Sequence, residues 1–236
     1  MELKALIFDV DGTLADTERD GHRLAFNAAF AEHGIGWNWD AALYGKLLDV
    51  TGGKERIRYY AESHDAAFLA RPEAEETIRA LHATKTRHYL ALLQSGAIPL
   101  RPGVASLIAQ ARAAGLGLAV ATTTTADNVT TLLACSLTPA ALEWFAAIGA
   151  GDVVPAKKPA PDIYRWVLER LALPAGACLA IEDSANGLQA ALAAGVPTIV
   201  TENDYTRGQD FRGALSVLPD LAGISLDWLR ARHGEQ

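Results

Sequence analysis

Between residues 104 and 200 the chain alternates helical stretches with short apolar runs, and this rhythm constrains its fold more than any other feature. Helical spacing is expected over 104–114, 127–135, 162–171 and 187–194, with strand-like runs at 116–122, 147–150, 178–181 and 198–200. Apolar strands separated by helices form parallel sheets covered on both faces. One more apolar run, residues 5–8, stands alone near the start and is expected in the same sheet. Between it and residue 104 the pattern stays helical. Leu24, Phe26, Ala29 and Phe30 share helical spacing, Trp37 and Trp39 interrupt it, and further helices are predicted at 41–48, 54–62 and 72–95. The expected organisation is an α/β core from residues 1–15 and 97–236, with a helical unit, 16–96, inserted over the carboxyl end of the first strand.

Half of the 236 residues are hydrophobic and 21% are charged, enough for a sizeable core plus an insert. The net charge is −7 and no Lys/Arg run stands out, which argues against a nucleic acid or an acidic membrane surface as partner. No apolar run approaches the ~20 residues of a membrane span. The first strand begins almost at Met1, so no signal peptide is expected. Cys135 and Cys178 form neither a metal motif nor a disulfide framework and are expected to be buried thiols in a reducing compartment. A soluble, cytoplasmic monomer is the expectation.

Four chemical segments sit at strand ends or in loops entering helices. Asp9 and Asp11 follow the first strand and precede the Gly12–Thr13 turn. On a regular strand their alternation would put both carboxylates on one face, a costly pairing without a cation or a shared proton. Thr122 to Thr125 close the second strand, where hydroxyls and free N–H groups suit a phosphate, although threonine also favours strands and helix caps. Lys157 and Lys158 precede the stiff Pro159–Pro161 loop, with either lysine a candidate to balance clustered carboxylates. Glu182 and Asp183 end another apolar strand; with Asp9 they offer oxygen ligands suited to Mg²⁺, and a plain capping role is the alternative.

Taken in order, Asp9, Asp11, Thr122, Lys158 with Pro159, and Glu182 with Asp183 make the chain resemble the haloacid dehalogenase-like hydrolase superfamily along essentially its whole length. That resemblance implies a Rossmann-like core with a helical cap. It also implies a two-step phosphoryl transfer in which Asp9 is the nucleophile and Asp11 the acid and then the base. Thr122 and the Thr123 backbone would hold phosphate oxygens, and Lys158, which directly precedes the proline, would steady Asp9 and the transferring group. Mg²⁺ would be bound by Asp9, the Asp11 carbonyl and Asp183, with Glu182 in or next to that shell. True dehalogenases lack the second aspartate, so Asp11 favours phosphate esters. Phosphonatases add a Schiff-base lysine, for which Lys46 or Lys54 fits less well.

Within the superfamily the likeness is to CbbY-type sugar-phosphate phosphatases, carried by Glu18, His22, the loop from Thr51 through Gly52, Gly53, Lys54 and Arg56, Lys85, and the exit at Arg101. It implies removal of the C1 phosphate of xylulose 1,5-bisphosphate, an inhibitor of Rubisco. Lys54 and Arg56, beyond the Gly52–Gly53 turn, would grip the distal phosphate, with Glu18 and His22 near the sugar. The alternatives are a mutase of the β-phosphoglucomutase kind, a general sugar-phosphate phosphatase, and a non-catalytic binding module. The last should have lost Asp9, Asp11 or Lys158, and all three are present.

Overall fold

The computed structural model describes residues 1–50 and 52–235. After β1 (Ala5–Phe8), a π-helical turn at Glu18–His22 leads into α1 (Arg23–Glu32), α2 (Ala41–Leu47), α3 (Gly53–His64), α4 (Ala66–Leu69) and α5 (Ala74–Gln94). Then follow α6 (Val104–Ala113), β2 (Gly117–Ala121), α7 (Ala126–Ser136), β3 (Phe145–Gly149), α8 (Asp162–Leu171) and β4 (Cys178–Glu182). The chain ends with α9 (Ala185–Ala193), β5 (Thr198–Thr201), β6 (Ser216–Leu218) and α10 (Leu226–Gly234). It divides into two compact units, Met1–Asp16 with Pro99–Gln236, and Thr17–Ile98.

In the first unit the sheet order is β3-β2-β1-β4-β5-β6, and every neighbouring pair is parallel. Strand periodicity sorts its residues. Ala5, Ile7, Ala119, Ala121, Cys178 and Ala180 face a core built with Ile163, Tyr164 and Val167 of α8 and Ala190 and Ala191 of α9. Small alanines there admit the helices closely. The alternating Leu6, Phe8, Leu118, Val120, Leu179 and Ile181 are also buried, so both faces are covered, as a parallel sheet requires. The strand order reverses beside β1, between β2 and β4, and the crevice beyond the carboxyl ends at such a reversal is where open α/β sheets bind ligands.

The second unit has an aromatic core. Trp39 lies 4.8 Å, ring centre to ring centre, from both Phe26 and Phe30. The Trp39 backbone is held on both sides by Asn27, whose Oδ1 accepts from its N–H at 2.8 Å and whose Nδ2 donates to its carbonyl at 2.9 Å. α1 has already ended at Glu32, where Gly34 at φ +67° lets the Ile35 N–H reach back to the Phe30 carbonyl at 2.9 Å. Asp40 then caps α2 by accepting from the Leu43 N–H at 2.8 Å.

Some expectations fail. Cys135 is exposed on α7, because a helix presents one side to solvent even within an apolar stretch, whereas Cys178 is buried in β4. Burial pushes the Cys178 thiol up to about 11, which leaves it unreactive near neutrality. The segment after residue 204 contributes β6 and α10. Leu226, Leu229 and His233 anchor α10, while Trp228 stays partly exposed under the Arg232 guanidinium.

Candidate active site

β1 ends at Phe8, and the Asp9 N–H continues its ladder by donating to the Ile181 carbonyl of β4 at 3.0 Å. The chain then turns tightly. The Leu14 N–H donates to the Val10 carbonyl at 2.9 Å and the Gly12 N–H to the Ala15 carbonyl at 2.8 Å. Asp11 is therefore placed by this turn rather than by strand alternation, which corrects the sequence-based picture of two carboxylates on one strand face. Glu182 closes β4 and Asp183 follows it, both beside Asp9 at the sheet's reversal point.

Oxygen atoms of Asp9, Glu182 and Asp183 converge to within 4.8 Å of one another, and all three residues are buried. Asp11, half-buried, lies outside that triad. Lys158 reaches in from the loop before α8, its Nζ donating to Asp9 Oδ1 at 2.7 Å and to Glu182 Oε1 at 2.6 Å. The Tyr164 hydroxyl, also buried, donates to the same Glu182 oxygen. Lys157 points elsewhere, to the Gly151 carbonyl and to Asp152 Oδ1, the latter at 2.7 Å. Of the two lysines, Lys158 is the one that meets the carboxylates.

One ammonium faces three carboxylates, so the fully ionised cluster is anionic. Burial, with Asp9 adding like charge, holds the Glu182 carboxyl above the usual range against the pull of Lys158. Burial and the charges of Asp9 and Glu182 push Asp183 up in the same way. Burial disfavours the charged Lys158, but its two carboxylate partners outweigh that and raise it above the ordinary lysine value. Such a cluster offers oxygen ligands that could hold a hard divalent cation. The fit is supported by Glu182 Oε2, buried with no hydrogen-bond partner among the described residues. Gly187 in the first turn of α9 makes room for it, since a Cβ there would overlap the Glu182 carboxylate.

The four threonines after β2 divide the work. Thr122 is buried, its N–H continuing the ladder to the Gly149 carbonyl at 2.9 Å and its Oγ1 accepting from the Thr124 N–H at 3.3 Å. Thr123 is exposed. Thr124 accepts from Asn128 Nδ2 at 2.9 Å, and Thr125 caps α7 through the Asn128 N–H at 3.4 Å.

Three residues beside the carboxylates were given no chemical task in the sequence reading, although Arg101 was among those that carried the family likeness. Tyr164 is one, and Arg101 is the second. The buried Arg101 guanidinium donates to the Gly12 carbonyl, to the Thr201 carbonyl at 2.9 Å, and to the Glu202 and Pro219 carbonyls at 2.7 Å each. It also lies 3.4 Å from Asp16 Oδ1. The third, Asn203, donates to Asp183 Oδ2 at 2.8 Å. Gly12 lies at φ +84°, and a Cβ on it would overlap Asp183 and come within 2.6 Å of Asn203, so glycine serves both the turn and the close approach. The signal that could have exposed Arg101 was an arginine in a linker with two neighbouring prolines. Asn203 had only its place just beyond the fifth strand.

In the second unit, Glu18 accepts from the Tyr44 hydroxyl at 2.6 Å. Arg56 is buried, with donors committed to the Leu47 carbonyl at 3.1 Å, the Tyr44 hydroxyl at 2.8 Å and the Val50 carbonyl at 3.3 Å. Those bonds make it a strut between α2 and α3. Lys54 is exposed in the first turn of α3, and Lys46 is exposed on α2. Gly52 has φ +97°, and a Cβ on Gly53 would press on the His82 ring at 2.6 Å. Thr51 of the same loop lies outside the described residues. His22 is buried, stacked on Tyr89 at 3.8 Å, with its Nδ1 2.8 Å from Lys85 Nζ. Burial and the charges of Lys85 and Arg56 hold His22 well below the usual histidine value, so it is neutral, with Nδ1 accepting and the proton on Nε2.

A parallel sheet with buried carboxylates and a lysine at its reversal point defines a Rossmann-like α/β protein with a polar site at the carboxyl ends of its strands. The family model described as haloacid dehalogenase-like hydrolase matches residues 3–195, and the chain belongs to that family, among its CbbY-type phosphatases. It is 56% identical to the plasmid-encoded protein CbbY of Cupriavidus necator, over 93% of this chain and 86% of that one. The crystal structure of CbbY from Rhodobacter sphaeroides with phosphate is similar with a TM-score of 0.82 at 45% identity, covering 96% of this chain and 99% of that one. An Asp-to-Asn mutant of the same protein, in complex with xylulose 1,5-bisphosphate, matches with a TM-score of 0.83 at 45% identity over the same shares. Among the described residues, no helix is long and apolar enough to cross a membrane.

Proposed function

We propose that this phosphatase removes one phosphate from xylulose 1,5-bisphosphate through an aspartyl-phosphate on Asp9. The observation that carries the chemistry is Lys158, held at 2.7 Å from Asp9 and 2.6 Å from Glu182 within the carboxylate triad. The similarity to a CbbY protein bound to that bisphosphate supports the choice of substrate. Clearing an inhibitor of Rubisco would be its role, as the resemblance implies.

Asp9 attacks phosphorus, and the bond from phosphorus to the sugar oxygen breaks. Asp11 gives that oxygen its proton. In the second step water attacks the aspartyl-phosphate, Asp11 takes the water's proton, and Asp9 is regenerated as phosphate leaves. Lys158 keeps Asp9 oriented and offsets charge on the transferring group, while Thr122 and the Thr123 backbone hold its oxygens. Asp9, Glu182 and Asp183, with the Asp11 carbonyl, would hold Mg²⁺. The cation would neutralise phosphoryl charge and orient it for in-line displacement.

The test is phosphate release from xylulose 1,5-bisphosphate, ribulose 1,5-bisphosphate and β-glucose 1-phosphate, each with Mg²⁺ and with EDTA. Rapid, EDTA-sensitive release from the xylulose compound with the ribulose compound spared is the expected result. Similar slow turnover of all three would replace this reading with a general phosphatase. Glucose 6-phosphate in place of free phosphate would make it a mutase.

Lys54 is assigned to the distal phosphate. Lys54→Ala should raise KM for the bisphosphate about tenfold, the worth of one exposed charged contact, and leave a small aryl phosphate unaffected. Equal losses on both substrates would remove Lys54 from that role.

A further inference from the structure

The segment following β5 lies outside the four motifs, yet it touches the acidic cluster. Asn203 Nδ2 donates to Asp183 Oδ2 at 2.8 Å. Its Oδ1 accepts from the Tyr205 N–H at 2.9 Å, which fixes the amide's orientation, because the flipped amide would set one oxygen against Asp183 and the NH₂ against an N–H. The Asn203 N–H is anchored in turn on Thr206 Oγ1 at 2.9 Å. Just upstream, Arg101 grips the carbonyls of Thr201 at 2.9 Å and Glu202 at 2.7 Å. Nδ2 also lies 3.5 Å from the Gly12 carbonyl, so this one amide stands between the turn that follows Asp9 and the carboxylate that follows β4.

We propose that Asn203 is a positioning residue that binds one oxygen of Asp183 and thereby presents the other to the divalent cation. The inference rests on the metal-dependent reading above. A neutral donor suits this task, since it orients the carboxylate while leaving its full charge for the cation. Hydrogen bonds to a metal's carboxylate ligands fix their geometry, and losing one typically costs about 10–100-fold in metal affinity.

The experiment is Mn²⁺ binding to the full-length protein without substrate, followed by the electron paramagnetic resonance signal of free Mn²⁺. Wild type is compared with Asn203→Leu, which keeps the side chain's shape but removes both its donor to Asp183 and its acceptor for the Tyr205 N–H, and with Asp183→Asn. Binding weakened about 10-fold or more in Asn203→Leu, with the metal-free melting temperature little changed, is the expected result. Wild-type affinity in Asn203→Leu overturns the proposal. Wild-type binding no stronger than that of Asp183→Asn would instead remove the metal reading, and the proposal with it. Should the leucine variant not fold, Asn203→Ala is judged by the same affinities.

Discussion

Asp9→Asn is expected to lower phosphate release by at least about 10⁴-fold, equivalent to ~5.5 kcal/mol of barrier, while the protein stays folded. An amide cannot form the acyl-phosphate, and nothing else in the cluster can replace it. Glu182 is tied up by Lys158 and Tyr164, and Asp183 by Asn203. The fold should tolerate the change because Asn is isosteric and its Oδ1 can still accept from Lys158. It also removes one of three buried like charges, so without metal the variant should melt no lower than wild type. Single-turnover assays beside thermal melts would check both halves. Turnover within about tenfold of wild type would dismiss Asp9 as nucleophile.

The sheet was legible because buried parallel strands leave short apolar runs, and each chemical segment sat where such a run stopped. That is how Asp9 and the Glu182–Asp183 pair were marked before their oxygens were seen to converge. Sequence could not show why Lys158 rather than Lys157 turns inward, because that depends on Gly151 and Asp152 capturing the neighbour. The internal bonds of Arg56 were hidden for a related reason. A cation in a Gly-Gly loop resembles an anion grip until tertiary packing brings the Leu47 and Val50 carbonyls to it. β6 was missed because three residues, Ser216–Leu218, at a sheet edge leave no periodic pattern. Asn203 and Arg101 escaped because their partners are remote in the chain. Arg101 meets Gly12 across 89 positions and Pro219 across 118, contacts that exist only once the sheet has formed.

Arg101→Met should cost the fold about 3–5 kcal/mol, the usual penalty for breaking a buried, hydrogen-bonded charge. Methionine matches the aliphatic stem but supplies no donor. The carbonyls of Gly12, Thr201, Glu202 and Pro219 would each lose a charged partner, and each buried acceptor left unpaired costs about 1–3 kcal/mol. Water entering the space, and the relief of no longer burying a guanidinium, would offset part of that sum. Arg101→Lys should recover only a fraction, since a single ammonium cannot reach acceptors spread around a planar fork. For a chain of this size the methionine change corresponds to a melting temperature roughly 10 °C lower. Urea titration of both variants is the check, and a loss under about 1 kcal/mol in Arg101→Met would mean the carbonyls find other partners. The consequence reaches the chemistry as well. Gly12 follows Asp11 directly, and its carbonyl is fixed by Arg101. Loosening that peptide frees the turn that carries Asp11, the proposed acid/base, so kcat should fall in Arg101→Met even at temperatures where it remains folded.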